Sequence, residues 1–332
     1  MKARSVFFII VIGLLSSTVF AADQPQLFGL SNADILAYPV PEVNRLLPND
    51  TLLSRRDYRQ INGEVQLFDA PDGNLSADYP AGTYFVSVQQ VANGWAQIDD
   101  GRWMRLGQLS PAPISHLGGV FLNGPTLYPF GWLRSNIQAS AQPGTAPEGD
   151  VLPHYMLVNV FTSATIDGTL WYQIGLNRWV TSDLVAVINP PERPAEVDTE
   201  RWAAVDVGAE IVYIYQGSTP VFAALTSTGV ETSPTTTGLY HVYARYNTTV
   251  MSRGVRTDPW FYYMEDVPYT LYFNDHMALH GAYWHDEFGY VRSHGCVNLS
   301  LTDAYWVYSF LSEEIDLTNP ADIWPAVYVY QS

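Results

Sequence analysis

The chain has 332 residues, of which 47% are hydrophobic and 15% charged, and its formal net charge at pH 7 is −17. That acidity argues against nucleic acid and anionic lipid as partners, since both are held by basic surfaces. A single cysteine excludes an intramolecular disulfide, and the length allows several cores rather than one. Lys2 is the only lysine, so a carboxylate on any ligand would be met by arginine or by backbone N–H groups.

The N-terminus is basic at Lys2 and Arg4, apolar from Val6 to Leu15, and small at Val19 and Ala21. This pattern predicts a secretory signal peptide over 1–21 and an exported chain, bound for the periplasm, cell wall or extracellular space. The apolar run is too short to span a bilayer, so a membrane link is expected only through an uncleaved signal. Residues 22–60 are read as a leader that packs on the segment C-terminal to it.

An internal repeat comes next. Trp95 to Trp103 aligns without gaps with Trp171 to Trp179, sharing Trp, Gln, Ile, Arg and Trp at a period of 76. A turn-rich patch and a β-branched or aromatic run precede each copy: Pro71-Asp72-Gly73-Asn74 with Tyr84 to Val88, then Pro143-Gly144-Thr145 with Tyr155 to Val160. Short strands broken by Gly, Pro and Asn predict small β-barrels over 61–112 and 113–188. Both resemble bacterial SH3-like modules. The four tryptophans are expected in barrel core and rim, with stacking on glycan as the alternative. Three prolines and four acids over 189–200 predict a semi-stiff linker and a domain boundary.

From Arg201 the strand signals resume, with Gly217 turning the chain into Val221 to Leu225. Asp303 to Leu311 predicts a short helix that buries Ala304, Val307, Tyr308 and Leu311, with Thr302 able to cap it. Ile323 to Tyr330 reads as a closing strand.

Between these lies Ser293-His294-Gly295-Cys296-Val297-Asn298, preceded 16 positions upstream by His280. A thiol acts as a nucleophile when an imidazole can take its proton, and His280 and His294 are the candidates. The oxyanion formed on attack needs backbone N–H donors, and Gly295 would let the chain pass close without a Cβ. Asn298 could pin the loop through backbone groups. The bland alternative is a small buried cysteine beside a core histidine.

The histidine followed by glycine, about a dozen residues and then Ser-His-Gly-Cys-hydrophobic-Asn resembles the signature of the L,D-transpeptidase (YkuD) catalytic domain. Ser227-Thr228-Gly229 and Ser233 to Tyr240 are similar to two further segments of that family, the second being two residues longer here. The resemblance covers about 201–332. It implies a β-sandwich-like catalytic fold with short helices, so the fold class expected is mainly β. It also implies Cys296 as nucleophile, His280 as base, Gly281 orienting His280 through its carbonyl, and Ser293, His294, Gly295 and Asn298 shaping the site. Its partners would be peptidoglycan stem peptides and glycan strands, with no cofactor. Tyr262 and Trp284 are expected to flank the scissile bond, and Arg292 to meet a substrate carboxylate. Asp275, His276 and His285 do not repeat at a zinc-like spacing, so no metal is expected. An L,D-carboxypeptidase that hydrolyses the same thioester, and a non-catalytic wall-binding protein, are the open alternatives.

Overall fold

A computed structural model describes residues 30–98, 100–258, 260–313, 315, 319 and 323–332. The expected signal peptide and the first part of the leader lie outside the described residues.

The first β unit is one run of paired strands. Strand Asp57–Ile61 pairs with both Thr83–Ala92 and Leu109–Pro111, and Trp95–Ile98, Trp103–Arg105, Val65–Phe68 and Leu75–Tyr79 continue it in pairing order. Alternate residues turn inward, so Ile61, Leu67, Tyr84, Val86, Ile98 and Met104 make its core. The unit's pairing begins at Asp57, four residues before the expected boundary, because that strand bonds both Thr83–Ala92 and Leu109–Pro111.

The second unit repeats this pairing. Phe130–Leu133 pairs with both Leu157–Asn159 and Val185–Val187. The sequence period carries through the tryptophan strands into the 3-10 turns Leu106–Gln108 and Ser182–Leu184 and the strands after them. Trp103 pairs with Phe68 and Trp179 with Ser140, the same position in each unit. Trp95 and Trp103 are buried, whereas Trp171 and Trp179 are half-buried.

The C-terminal domain packs two sheets face to face, as in a β-sandwich. Arg201–Asp206, Ile211–Gln216, Thr219–Leu225 and Ala326–Tyr330 belong to one sheet; Tyr262–Asn274, Met277–Gly281 and Val297–Leu299 belong to the other. Val205, Ile214 and Phe222 meet Leu271, Leu279, Val297 and Leu299 between them. Helix Leu301–Ser312 closes the layer with Ala304, Val307, Tyr308 and Leu311, the expected face. Its cap is Ser300 rather than Thr302: the Ser300 hydroxyl accepts from Asp303 N at 3.1 Å, while Thr302 already lies inside the first turn.

The three parts interlock through backbone pairing. The leader does not pack on the first β unit alone. Its Asn44–Arg45 pairs with Val120–Phe121, which pairs in turn with Thr219–Leu225, so both segments extend a sheet of the C-terminal domain. The second unit's own pairing thus starts at Phe130, not at 113. Thr83 to Phe85 runs parallel to Tyr262 to Met264, making one sheet of the first unit and the C-terminal domain. The expected linker is a packed strap: Val197 is buried, and Tyr215 donates its hydroxyl to the Pro191 carbonyl at 2.5 Å.

Candidate active site

His280 lies on strand Met277–Gly281, and Cys296 immediately precedes Val297–Leu299. The strands are parallel, with Leu279 opposite Val297 and His280 opposite Asn298. Met277 and Leu279 face the sandwich core, so the alternation turns Ala278 and His280 to the other face. This register sets Cys296 beside Ala278, whose N–H points at the sulfur. His280 and Cys296 both line a cleft of about 840 Å³.

Electrostatically the resting pair is neutral. Burial pushes the His280 imidazole down to about 4, against a smaller opposing effect of its hydrogen bond to Gly281. Burial pushes the Cys296 thiol up to about 11, with the Ala278 N–H opposing. The thiol donates to the His276 carbonyl at 3.5 Å rather than to His280. His280 Nδ1 lies 3.2 Å from the Gly281 carbonyl, which assigns the proton to Nδ1 and leaves Nε2 as an acceptor.

The Cys296 loop is held from beneath. Ser293 Oγ donates to the Cys296 carbonyl at 2.5 Å and accepts from Gly295 N at 3.1 Å. Thr235 Oγ1 donates to the Gly295 carbonyl at 2.9 Å and accepts from Gly229 N at the same distance. Ser233 Oγ donates to the His294 carbonyl at 3.1 Å. The segment with two extra residues is thus the prop of the loop. A Cβ on Gly229 would lie 2.3 Å from the Ser233 carbonyl, so glycine is required there. Gly295 is required for another reason than the one expected. A Cβ would meet nothing closer than 3.5 Å, but φ is +116°, a conformation that strains any L side chain. Its N–H, being given to Ser293, is not open for an oxyanion.

The other expected site residues divide. His294 is half-buried and stacks on Tyr262 with centroids 5.4 Å apart. Trp284 stands 5.6 Å from the His280 ring, and Tyr262 and Trp284 both line the cleft. Arg292 also lines it, but its guanidinium is paired with Glu287. Asn298 bonds through its side chain to the ring of His285 at 2.9 Å and not to a backbone group; its backbone is already paired with Ser227. Among the neighbouring aromatics, Phe261 and Tyr263 pack on the first unit's core and Tyr283 is fully buried. Trp260, at 72% exposure, stands at the cleft mouth.

The sequence reading missed several cleft residues. Arg253 lines the cleft, donates to Ser233 Oγ at 2.9 Å and bears on His294 electrostatically. Tyr272 lies on an alternation that was legible. Thr83 comes from the first β unit, and no local signal could have found it. Among the described residues no group of three or more His, Cys, Asp or Glu side chains could hold a metal ion.

In this mainly β sandwich a cysteine at the start of one strand and a histidine on its parallel neighbour share one open cleft. Residues 200–322 match the model of the YkuD family, the L,D-transpeptidase catalytic domain, and this segment is such a domain. Among solved structures the chain is similar to an L,D-transpeptidase from Enterococcus faecium, with 16% identity over 40% of this chain and 50% of that one and a TM-score of 0.32. It is also similar to one from Mycobacterium smegmatis, with 18% identity over 66% and 93% and a TM-score of 0.34. A third, from Mycobacterium tuberculosis, has 15% identity over 66% and 93% and a TM-score of 0.31. The chain spans half the length of the Enterococcus protein it matches. No curated protein matches it.

Proposed function

We propose that the protein is an exported cysteine L,D-transpeptidase acting on peptidoglycan stem peptides, with two SH3-like modules ahead of its catalytic domain. The observation that carries this reading is the shared cleft of Cys296 and His280, with His280 Nδ1 tied to Gly281 and Nε2 left to accept a proton. As Sγ attacks the carbonyl between an L-centre and a terminal D-residue, its proton passes to His280 Nε2. Because both groups rest neutral, transfer and attack proceed together rather than from a preformed thiolate. The amides of His294 and Cys296 receive the oxyanion, since that of Gly295 is engaged. The D-amino acid leaves with the proton from His280, and an amine of a second stem resolves the thioester. Tyr262 and Trp284 flank the scissile bond, and Arg253 meets a stem carboxylate, Arg292 being paired with Glu287.

Hydrolysis of the same thioester would make the enzyme an L,D-carboxypeptidase; muropeptide analysis of wall material incubated with the protein separates crosslinked from trimmed products. Intact-mass measurement with a carbapenem tests the nucleophile. A covalent adduct is expected on the unsubstituted protein and none on Cys296→Ala; an adduct that persists in the variant refutes the assignment. Export rests on the N-terminal pattern. No helix of the described residues is long and apolar enough to cross a membrane.

A further inference from the structure

His285 is a second buried histidine, 2% exposed, that takes no part in the acyl transfer described above. It sits between two fixed partners. Glu287 N donates to its Nδ1 at 3.3 Å, and its Nε2 lies 2.9 Å from Asn298 Nδ2, so both ring nitrogens face an N–H group. Ser227 closes the circuit, bonding the Glu287 carbonyl through Oγ at 2.8 Å and exchanging backbone bonds with Asn298 at 3.0 Å.

This wiring fixes the proton count. Burial pushes His285 down to about 3, so it is neutral at physiological pH. A neutral imidazole has one donor and one acceptor. Nδ1 accepts, so Nε2 carries the proton. A donor cannot bond a donor, and the Glu287 backbone N–H cannot turn away whereas an amide can; hydrogen-bond chemistry therefore exchanges Asn298 Nδ2 and Oδ1, setting the oxygen on the ring and the NH2 away from it. Asn298 lines the cleft, and its outer amide atom is not among the buried polar atoms left without a partner. That atom therefore opens on the cleft. It lies two residues beyond Cys296 and directly across the strand pair from His280.

We propose that His285 is a positioning residue that holds the Asn298 amide with its N–H groups aimed at a carbonyl or carboxylate oxygen of the bound stem peptide. The inference rests on the transpeptidase reading and extends it. Without the ring's Nε2–H the amide could turn over and present its oxygen, which would repel the same substrate atom. Selection for an acceptor at that point would then be lost.

The test uses the full chain with a synthetic tetrapeptide stem ending in a D-residue, acylation being followed by intact mass and folding by thermal unfolding. His285→Phe keeps the ring's packing on Phe288, 4.9 Å away, and removes both nitrogens. It is expected to lower acylation kcat/KM about 10–100-fold, the range seen when an outer positioning partner is removed. His285→Gln, which can donate again, is expected to restore most of it. Asn298→Asp still accepts from Nε2–H but offers the cleft no donor, so it should lose about as much as His285→Phe while unfolding normally. The double variant should lose no more than either single one. Acylation by Asn298→Asp or by folded His285→Phe within about twofold of the unsubstituted enzyme overturns the proposal. A Gln variant no better than Phe overturns the donor role as well. If the unsubstituted enzyme forms no thioester while its cysteine is intact, the transpeptidase reading falls first and this one with it.

Discussion

Cys296 and His280 meet as two neutral groups, and this sets how the site should respond to pH. With the imidazole pushed down to about 4 and the thiol up to about 11, neither changes charge between those limits. Acylation should therefore rise through an acid limb near pH 4, where His280 becomes able to accept, and stay level through neutrality. Alkylation by iodoacetamide, which consumes thiolate, should be slow at pH 7 and still climbing above pH 9. Alkylation that saturates by pH 7 would mean a stable thiolate–imidazolium pair and would sink this account. The residues of the motif were readable from sequence because their spacing is local. Their charge states were not, because the burial that shifts both groups exists only in the folded chain.

At the scale of elements, the nucleophile loop depends on one hydroxyl that belongs to a different segment. Thr235 Oγ1 satisfies both Gly229 N and the Gly295 carbonyl. Thr235→Val preserves shape and orphans two buried backbone groups, each worth about 1–3 kcal/mol. A loss of about 2–4 kcal/mol in chemical denaturation is expected, with acylation falling further as Gly295 loosens; unchanged values for both would show that the prop is dispensable. The amphipathic helix was legible from its periodicity, down to the four residues it buries. Its cap was misread because Ser300 and Thr302 are equally good capping types, and only the path of the chain into the first turn distinguishes them. The linker was misread because prolines and acids record stiffness and polarity, but not the Tyr213 and Tyr215 hydroxyls that tie down Asn189 and Pro191.

Over the whole molecule, the β units are built into the site. The first unit shares a sheet with the Tyr262 strand, and Phe261 inserts into its core beside Tyr84 at 5.4 Å. Arg256 reaches Tyr79 OH at 2.9 Å, anchoring the hairpin that carries Trp260 and Tyr262. The second unit holds the opposite wall: Tyr155 OH accepts from Phe288 N at 3.0 Å and donates to Asp286 at 2.9 Å, while Arg134 donates to the Gly289 carbonyl at 2.8 Å. The full chain should accordingly unfold in one main transition by calorimetry. A fragment of residues 200–332, which exposes Phe261, Tyr263 and an unpaired strand edge, should aggregate or lose acylation. A soluble, fully active fragment would reduce the two units to spacers.

What the sequence by itself determined was whatever is encoded locally: the repeat of 76 residues, the β-rich character, the helix face, and the histidine, glycine and cysteine of the motif. Strand alternation, turn residues and a short motif are all written within a few positions of one another. The tertiary structure alone decided that Thr83 lines the cleft, that Asn298 answers to His285, that Arg292 is engaged by Glu287, and that both β units brace the catalytic loops. Those relations join residues far apart along the chain, and they arise only when sheet pairing and burial bring the partners together and remove the water between them.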